Sequence, residues 1–282
     1  MPTSPEPREP TDPATPGARP DPPEPLRSFR DLAGALAPEL RAVEAAYARY
    51  LREQAAGRVL ANSVEALRVE LTYHSNAIEG STLSLRETQL VLEGYAPPGG
   101  KLLREVYEAR NGDRALRMIE RRAEEGPGPS PLTERDLLDV HAHVLADIDP
   151  ANAGRFRSGR VLIRGTGFIP PGSHRFDDLI PGLLELANAP GVPPALQAAE
   201  LHYNLVAVHP FSDGNGRTAR LLMNGHLLRH GYPLAIIEVG ERAEYLAALD
   251  ATNRGRCERF AAFILRCVER SIVRLLGEEE PA

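Results

Sequence analysis

From Leu26 to Leu275, apolar residues recur at intervals of three and four, and that period limits the folds open to this chain more than any other feature. The clearest face is Leu60, Val64, Leu67 and Leu71, on a segment that runs into "HSNAIEG" and stops at Gly80, a residue suited to a helix C-terminus. Further helices are expected near residues 86–93, 101–124, 133–147, 175–188, 194–207, 217–230, 241–253 and 256–276. The last carries Phe260, Phe263, Ile264, Cys267, Val268 and Leu275 on one stripe, as a core helix would. Only "RVLIRGTGFIPPG", residues 160–172, reads as β: two short apolar pieces flank "RGTG", and Pro170 and Pro171 close the unit. With no internal repeat and too few strands for a sheet, the expected class is mainly α with one small hairpin.

The first 25 residues follow no such period. Proline falls at every second or third position with almost nothing apolar between, a composition that cannot offset the entropy of ordering, so a disordered tail is expected there. Helices over 26–125, a core over 126–276 and a short tail over 277–282 complete the expected organisation. The net charge of -6 argues against nucleic acid or an anionic membrane as a partner, since both are drawn by basic surface. The N-terminus lacks an apolar signal core, and no run approaches the roughly 18 apolar residues of a spanning helix. Cys257 and Cys267 lie ten apart on one expected helix with no metal-ligand spacing around them, so a soluble, cytoplasmic chain without disulfides or zinc is expected.

One stretch breaks the helical run with chemistry: "HPFSDGNGRTAR", residues 209–220. Gly214, Asn215 and Gly216 can turn successive N–H groups toward one point, and the next helix adds its N-terminal dipole. Arg217 and Arg220, three apart, share that side of the helix. The guest such a cradle suits is a polyphosphate. Asp213 would repel a bare phosphate but suits a magnesium ion bridging phosphate oxygens. His209, as a neutral imidazole, can take a proton from an alcohol near pH 7, which a nucleotidyl transfer requires of its nucleophile. Singly, a loop histidine and a D-G-N-G turn are ordinary; twelve residues together are not.

The segment matches H-x-F-x-D-G-N-G-R-x-x-R at every fixed position, and by this the chain resembles the Fic family over about residues 60–275. "DGNGRTARLLMN" and "GYPLAIIE" are most similar to the subgroup containing the animal endoplasmic-reticulum Fic enzyme and its bacterial relatives. The resemblance implies a Fic-type helical fold with a β-hairpin flap at 160–172 and an N-terminal helical extension. It also implies transfer of AMP from ATP, with Mg2+, to a Ser, Thr or Tyr hydroxyl of a target protein or of the chain itself; a homodimer is compatible with it. By resemblance His209 is the base, Asp213 the magnesium ligand, and Gly214, Asn215, Gly216 and Arg217 the phosphate cradle. Thr218, Ala219 and Arg220 continue that ATP-binding segment. Thr166, Gly167 and Phe168 fall near the flap positions that touch nucleotide. Tyr245 and Asn253 match nucleotide-side positions, and read equally well as surface polar residues of a helix.

A second motif, "SNAIEG" from Ser75 to Gly80, matches the family's inhibitory pattern, and its place at the end of an amphipathic helix gives a short string weight. The resemblance implies that Glu79 pairs with Arg220 and fills the space of the ATP γ-phosphate. Charge logic agrees, because an arginine paired to a carboxylate cannot also neutralise a phosphate. Two other readings stand beside transfer. Glu79 could activate water and remove AMP, or the site could be a nucleotide-responsive regulatory module. The retained His209 and Asp213 speak against the module, as does a chain expected to end too soon after its core for an appended DNA reader. His226 and His230 lack the glutamate of an H-E-x-x-H metal site, His141 and His143 point to different helix faces, and His174, after "PPGS", reads as a helix-start residue.

Overall fold

The computed structural model describes residues 24–97, 99–125, 130–163 and 167–277. Most of the expected proline-rich tail, all but residue 277 of the C-terminal tail, and Thr166 lie outside the described residues. Among those described, the helices are α1 (Leu32–Ala35), α2 (Ala37–Ala55), α3 (Ala61–Ile78), α4 (Leu85–Leu92), α5 (Leu103–Glu124), α6 (Glu134–Leu145), α7 (Phe176–Ala187), α8 (Pro194–Val208), α9 (Asn215–Arg229), α10 (Arg242–Asn253) and α11 (Cys257–Leu275). Short 3-10 turns, Ser173–Arg175 and Val239–Glu241, lead into α7 and α10.

The pair α8 and α9 forms the centre. Helices α2, α7 and α11 pack around α8, while α3, α5 and α6 pack around α9. Every residue of α8 from Ala195 to Leu205 is consequently buried, and no amphipathic stripe is needed on a helix enclosed on all sides. Helix α11 shows the opposite pattern, with Phe260, Phe263, Ile264, Cys267 and Val268 inward and charged residues outward. Each fully buried phenylalanine stabilises the fold by about 2–3 kcal/mol. Capping boxes Ser84/Glu87 and Thr133/Asp136 fix the starts of α4 and α6.

The C-terminal end of α3 is closed by a tight turn. The Ser81 N–H reaches the Asn76 carbonyl (3.1 Å) and the Gly80 N–H reaches Ala77 (3.0 Å), the two bonds of a Schellman motif, with Gly80 at φ 105°. This closure holds Glu79 at the helix C-cap.

The expected hairpin over 160–172 is not formed: no β-strand occurs among the described residues. Residues 160–163 and 167–172 instead make an irregular arm. Its return side carries Pro170 and Pro171, which have no N–H to give a ladder. Leu162 and Ile169 are 81% and 73% exposed, while Phe168 packs against the main core and Pro170 is buried, so the arm touches the body on one side without its two pieces forming strands. The alternation that suggested strands turns Ile163 and Phe168 inward and Leu162 and Ile169 outward, without making strands of them.

Candidate active site

His209 ends α8 in the left-handed region, φ 50°, the one non-glycine residue there among those described. The conformation is held by a tight backbone network. The His209 N–H bonds Leu205 (2.9 Å), and the buried Arg157 guanidinium donates to the carbonyls of His209 (2.7 Å), Gly159 (2.6 Å) and Pro171 (2.6 Å). The His209 ring places Nδ1 3.3 Å from the Val206 carbonyl, so Nδ1 carries the hydrogen and Nε2 keeps its lone pair. Burial pushes the imidazole pKa down to about 4, which leaves it neutral and able to accept a proton at physiological pH.

The loop after His209 is stapled from inside. Asn215 Oδ1 accepts the Phe211 N–H (2.9 Å) and its Nδ2 donates to the Phe211 carbonyl (2.8 Å), so this side chain braces the loop. His141 stacks flat on Phe211 at 3.7 Å and accepts the Gly154 N–H at Nδ1 (3.1 Å), which leaves Nε2–H to donate to the Asp213 carbonyl (3.0 Å). Burial lowers the His141 pKa to about 4 and keeps that tautomer neutral. Of the three residues expected to bend, only Gly214 takes a positive φ, 74°; Asn215 and Gly216 already form the first turn of α9, two residues before the expected start. A side chain at Gly214 would also press on Val144 at 3.0 Å.

Glu79 comes to the same place from the end of α3. Its Oε1 lies so close to the Cα of Gly216 that a β-carbon there would collide with it, which puts a carboxylate against the first turn of α9 where an anion is favoured. Arg220, 2% exposed, donates to Glu79 Oε1 (2.7 Å), to Ser75 Oγ (2.9 Å) and to the Ser75 carbonyl (2.9 Å). Desolvation works to raise the Glu79 pKa, but the Arg220 charge and hydrogen bond, aided by Arg217, hold the carboxyl below its ordinary range. Arg242 ties the adjacent Ile78 carbonyl (2.8 Å).

Asp213 is 48% exposed at the rim, where Arg104 of α5 donates to its Oδ2 (2.6 Å) and Arg217 stands 3.5 Å from Oδ1. Burial raises its pKa, but Arg217, the Gly214 N–H and Arg104 together outweigh that, so it is ionised. Arg217 is buried beside Glu108 (3.3 Å), and its Nε has no partner among the described residues. An unsatisfied buried donor of this kind is a place for an anionic or hard-oxygen guest.

His209, Glu79 and Gly216 open on a cavity of about 470 Å3 lined also by Arg242, Tyr245 and Asn253, with Ile163, Gly167 and Phe168 contributed by the arm; Asp213, Gly214, Asn215, Arg217 and Arg220 lie behind or beside its wall rather than in it. Tyr245 is buried beside Arg220, and its hydroxyl meets His202 Nε2 at 2.9 Å, so it is no surface residue. Thr218 and Ala219 are fully buried and do not line the cavity. Sequence reasoning missed Arg157, Arg104, Arg242 and the anchoring role of His141. Their partners are carbonyls or residues far away in the chain, and neither leaves a local pattern.

The Fic/DOC family profile matches residues 131–227. A protein adenylyltransferase Fic from Culex quinquefasciatus is 39% identical over 207 residues, 72% of this chain and 41% of that protein. The protein adenylyltransferase fic-1 of Caenorhabditis elegans is 37% identical over 213 residues, 73% of this chain and 40% of its own length. Among solved structures, a fragment of Fic-1 from C. elegans superposes with a TM-score of 0.74 at 32% identity, covering 88% of this chain and 74% of that one. A Fic domain containing signaling protein from Bacteroides thetaiotaomicron gives 0.73 at 26% identity, covering 86% and 99%. The chain belongs to the Fic/DOC family. It spans about two fifths of the length of the curated relatives it matches.

Proposed function

We propose that this protein is an adenylyltransferase that moves AMP from ATP to a hydroxyl side chain of a target protein, and that Glu79 holds it in an inhibited state. One observation carries the reading: a neutral histidine with a fixed Nδ1–H and a free Nε2 shares a cavity with the Glu79 carboxylate, which lies at a helix N-terminus and is paired to the buried Arg220. In the reaction, His209 Nε2 takes the proton of the incoming hydroxyl as its oxygen attacks the α-phosphorus. The bond to the β-phosphate oxygen breaks and pyrophosphate leaves. The first turn of α9 with Arg217 and Arg220 holds the phosphates, and Tyr245, Asn253 and the arm residues Gly167 and Phe168 flank the nucleoside.

Magnesium fits the donor set through Asp213, an ionised and accessible carboxylate at the rim. Magnesium typically takes one or two protein carboxylates and completes its shell from substrate phosphates and water. Held by Asp213, it would supply positive charge to neutralise the charge that develops as the phosphate is transferred. Arg104 now meets Asp213 and would give way.

Glu79 supports the inhibited state because its carboxylate fills the space beside Gly216 and engages Arg220, so a terminal phosphate finds both a repelling charge and an occupied partner. The test is mass spectrometry of the protein and of a panel of candidate targets after incubation with ATP and magnesium. An AMP adduct on a hydroxyl, enhanced in Glu79→Gly, is the expected result. No adduct in either form, with AMP released from a pre-labelled protein, would establish the hydrolytic direction instead.

A further inference from the structure

The stretch before α1 is not helical, yet it is held as firmly as any helix. Asn204 of α8 accepts the Arg27 N–H at Oδ1 (2.8 Å) and returns a bond from Nδ2 to the Arg27 carbonyl (2.9 Å). One turn earlier on the same helix face, Glu200 accepts the Phe29 N–H. The Arg30 guanidinium reaches the Pro190 carbonyl (2.8 Å), and Leu26 and Phe29 are fully buried. Residues 26–30 thus form a strap gripped through its backbone by two polar side chains that a buried helix would otherwise gain by losing. Glu200 illustrates the expense: it is 1% exposed, its Oε1 has no partner among the described residues, and burial pushes its pKa up to about 7.

Between those two grips on α8 sits Tyr203. Its ring stacks on Phe29 of the strap at 6.0 Å and 29°, and its hydroxyl donates to Asn253 Oδ1 at 3.0 Å. Tyr203 and Asn253 both line the cavity that holds His209. An asparagine amide can present either an acceptor or a donor to a ligand, and a bond to one end decides which. Here the carbonyl end is committed to Tyr203, so the end left for a ligand is the Nδ2 donor.

We propose that the strap and Tyr203 set the base preference of the cavity: Phe29 fixes the Tyr203 ring, Tyr203 fixes the Asn253 amide, and the amide offers a donor that suits adenine N1 and opposes the N1–H of guanine. Phe29 and Tyr203 are positioning residues, acting through Asn253. A site that presents one committed polar group discriminates far better than one whose group can turn over, because the wrong base leaves an unpaired donor. The inference rests on the proposed nucleotide transfer.

The experiment measures dissociation constants for ATP and GTP on the full chain carrying Glu79→Gly, alone and with Tyr203→Phe or Asn204→Ala, alongside melting temperatures. Tyr203→Phe keeps the packing and removes only the hydroxyl. Its preference for ATP over GTP is expected to fall about five- to tenfold, the effect of one hydrogen bond. Asn204→Ala, which loosens the strap without touching the cavity, should shift the preference in the same direction. A purely structural role for Tyr203 and the strap would lower the melting temperature and leave the ATP:GTP ratio unchanged, and that result overturns the proposal. A parent protein that binds neither nucleotide overturns both this inference and the transfer reading.

Discussion

Loop 209–214 and arm 158–172 both serve one cavity, but the chain secures them very differently. The loop is tied by Arg157, Asn215 and His141 and by its own backbone, and its apolar residue Phe211 is wholly buried. The arm is fastened near its base, where Arg157 grips Gly159 and Pro171 and the Ser173 hydroxyl donates to Ser158 (2.8 Å), while Leu162 and Ile169 stand in solvent. Chemistry that needs an imidazole placed to within a fraction of an ångström sits where the backbone cannot shift. Among the described residues of the arm, Leu162 and Ile169 are left exposed to a molecule from outside.

The sharpest way to break that contrast is His209→Ala. Removing the base should reduce transfer by about 10^2- to 10^4-fold while ATP binding stays near its starting value, measured as AMP incorporation against nucleotide affinity. Equal loss of both would place His209 in binding. Because burial holds its pKa near 4, the acid limb of kcat/KM should lie below pH 5.

Arg157→Ala tests what joins the two regions. It strips three carbonyls of a charged donor in one step, and a loss of about 3–5 kcal/mol in urea unfolding is expected. A change under about 1 kcal/mol would show that the loop is held without it.

Glu200 gives a smaller, pH-dependent effect. Its folded-state pKa of about 7 lies above the ordinary value near 4.5, so the folded state binds the extra proton. Stability from this group is therefore full below about pH 4.5 and declines as pH rises to about 7, by on the order of 3 kcal/mol at most. In Glu200→Gln, the unfolding free energy should lose that component of its slope between pH 4.5 and 7. An unchanged slope would refute the assignment.

The smallest effect belongs to the arm: Leu162→Ser and Ile169→Ser should each change stability by less than about 0.5 kcal/mol. A larger loss would mean that Leu162 and Ile169, and not only Phe168, pack against the body.

The helices could be read from sequence because a buried stripe forces a 3.6-residue period on residues such as Phe260 to Leu275, and the loop because histidine, acid, glycines and arginines crowd into twelve positions. The hairpin was misread because alternation at 160–172 reports that one side of the arm faces the body, as Phe168 does, and not that its two pieces pair with each other. The boundary at α9 moved because Asn215 spends its side chain on Phe211, a contact no local pattern signals. Tyr245, readable either as surface or as site, turned out buried beside Arg220 because α10 packs against α11 and the α8–α9 pair encloses the arginine. Arg104 and Asp213 meet across 109 residues of chain, and that pairing is a product of tertiary packing alone.

The most direct test of the central claim compares the two partners of one ion pair. AMP incorporation and melting temperature are measured for Glu79→Gly and Arg220→Ala beside the parent. Glu79→Gly frees the arginine and removes a repelling charge, so incorporation should rise. Arg220→Ala also breaks the pair but deletes the phosphate's cation, which in related phosphoryl chemistry is worth on the order of a thousandfold, so incorporation should collapse. If both variants lose stability and neither gains activity, Glu79–Arg220 is a structural salt bridge and the inhibitory account is wrong.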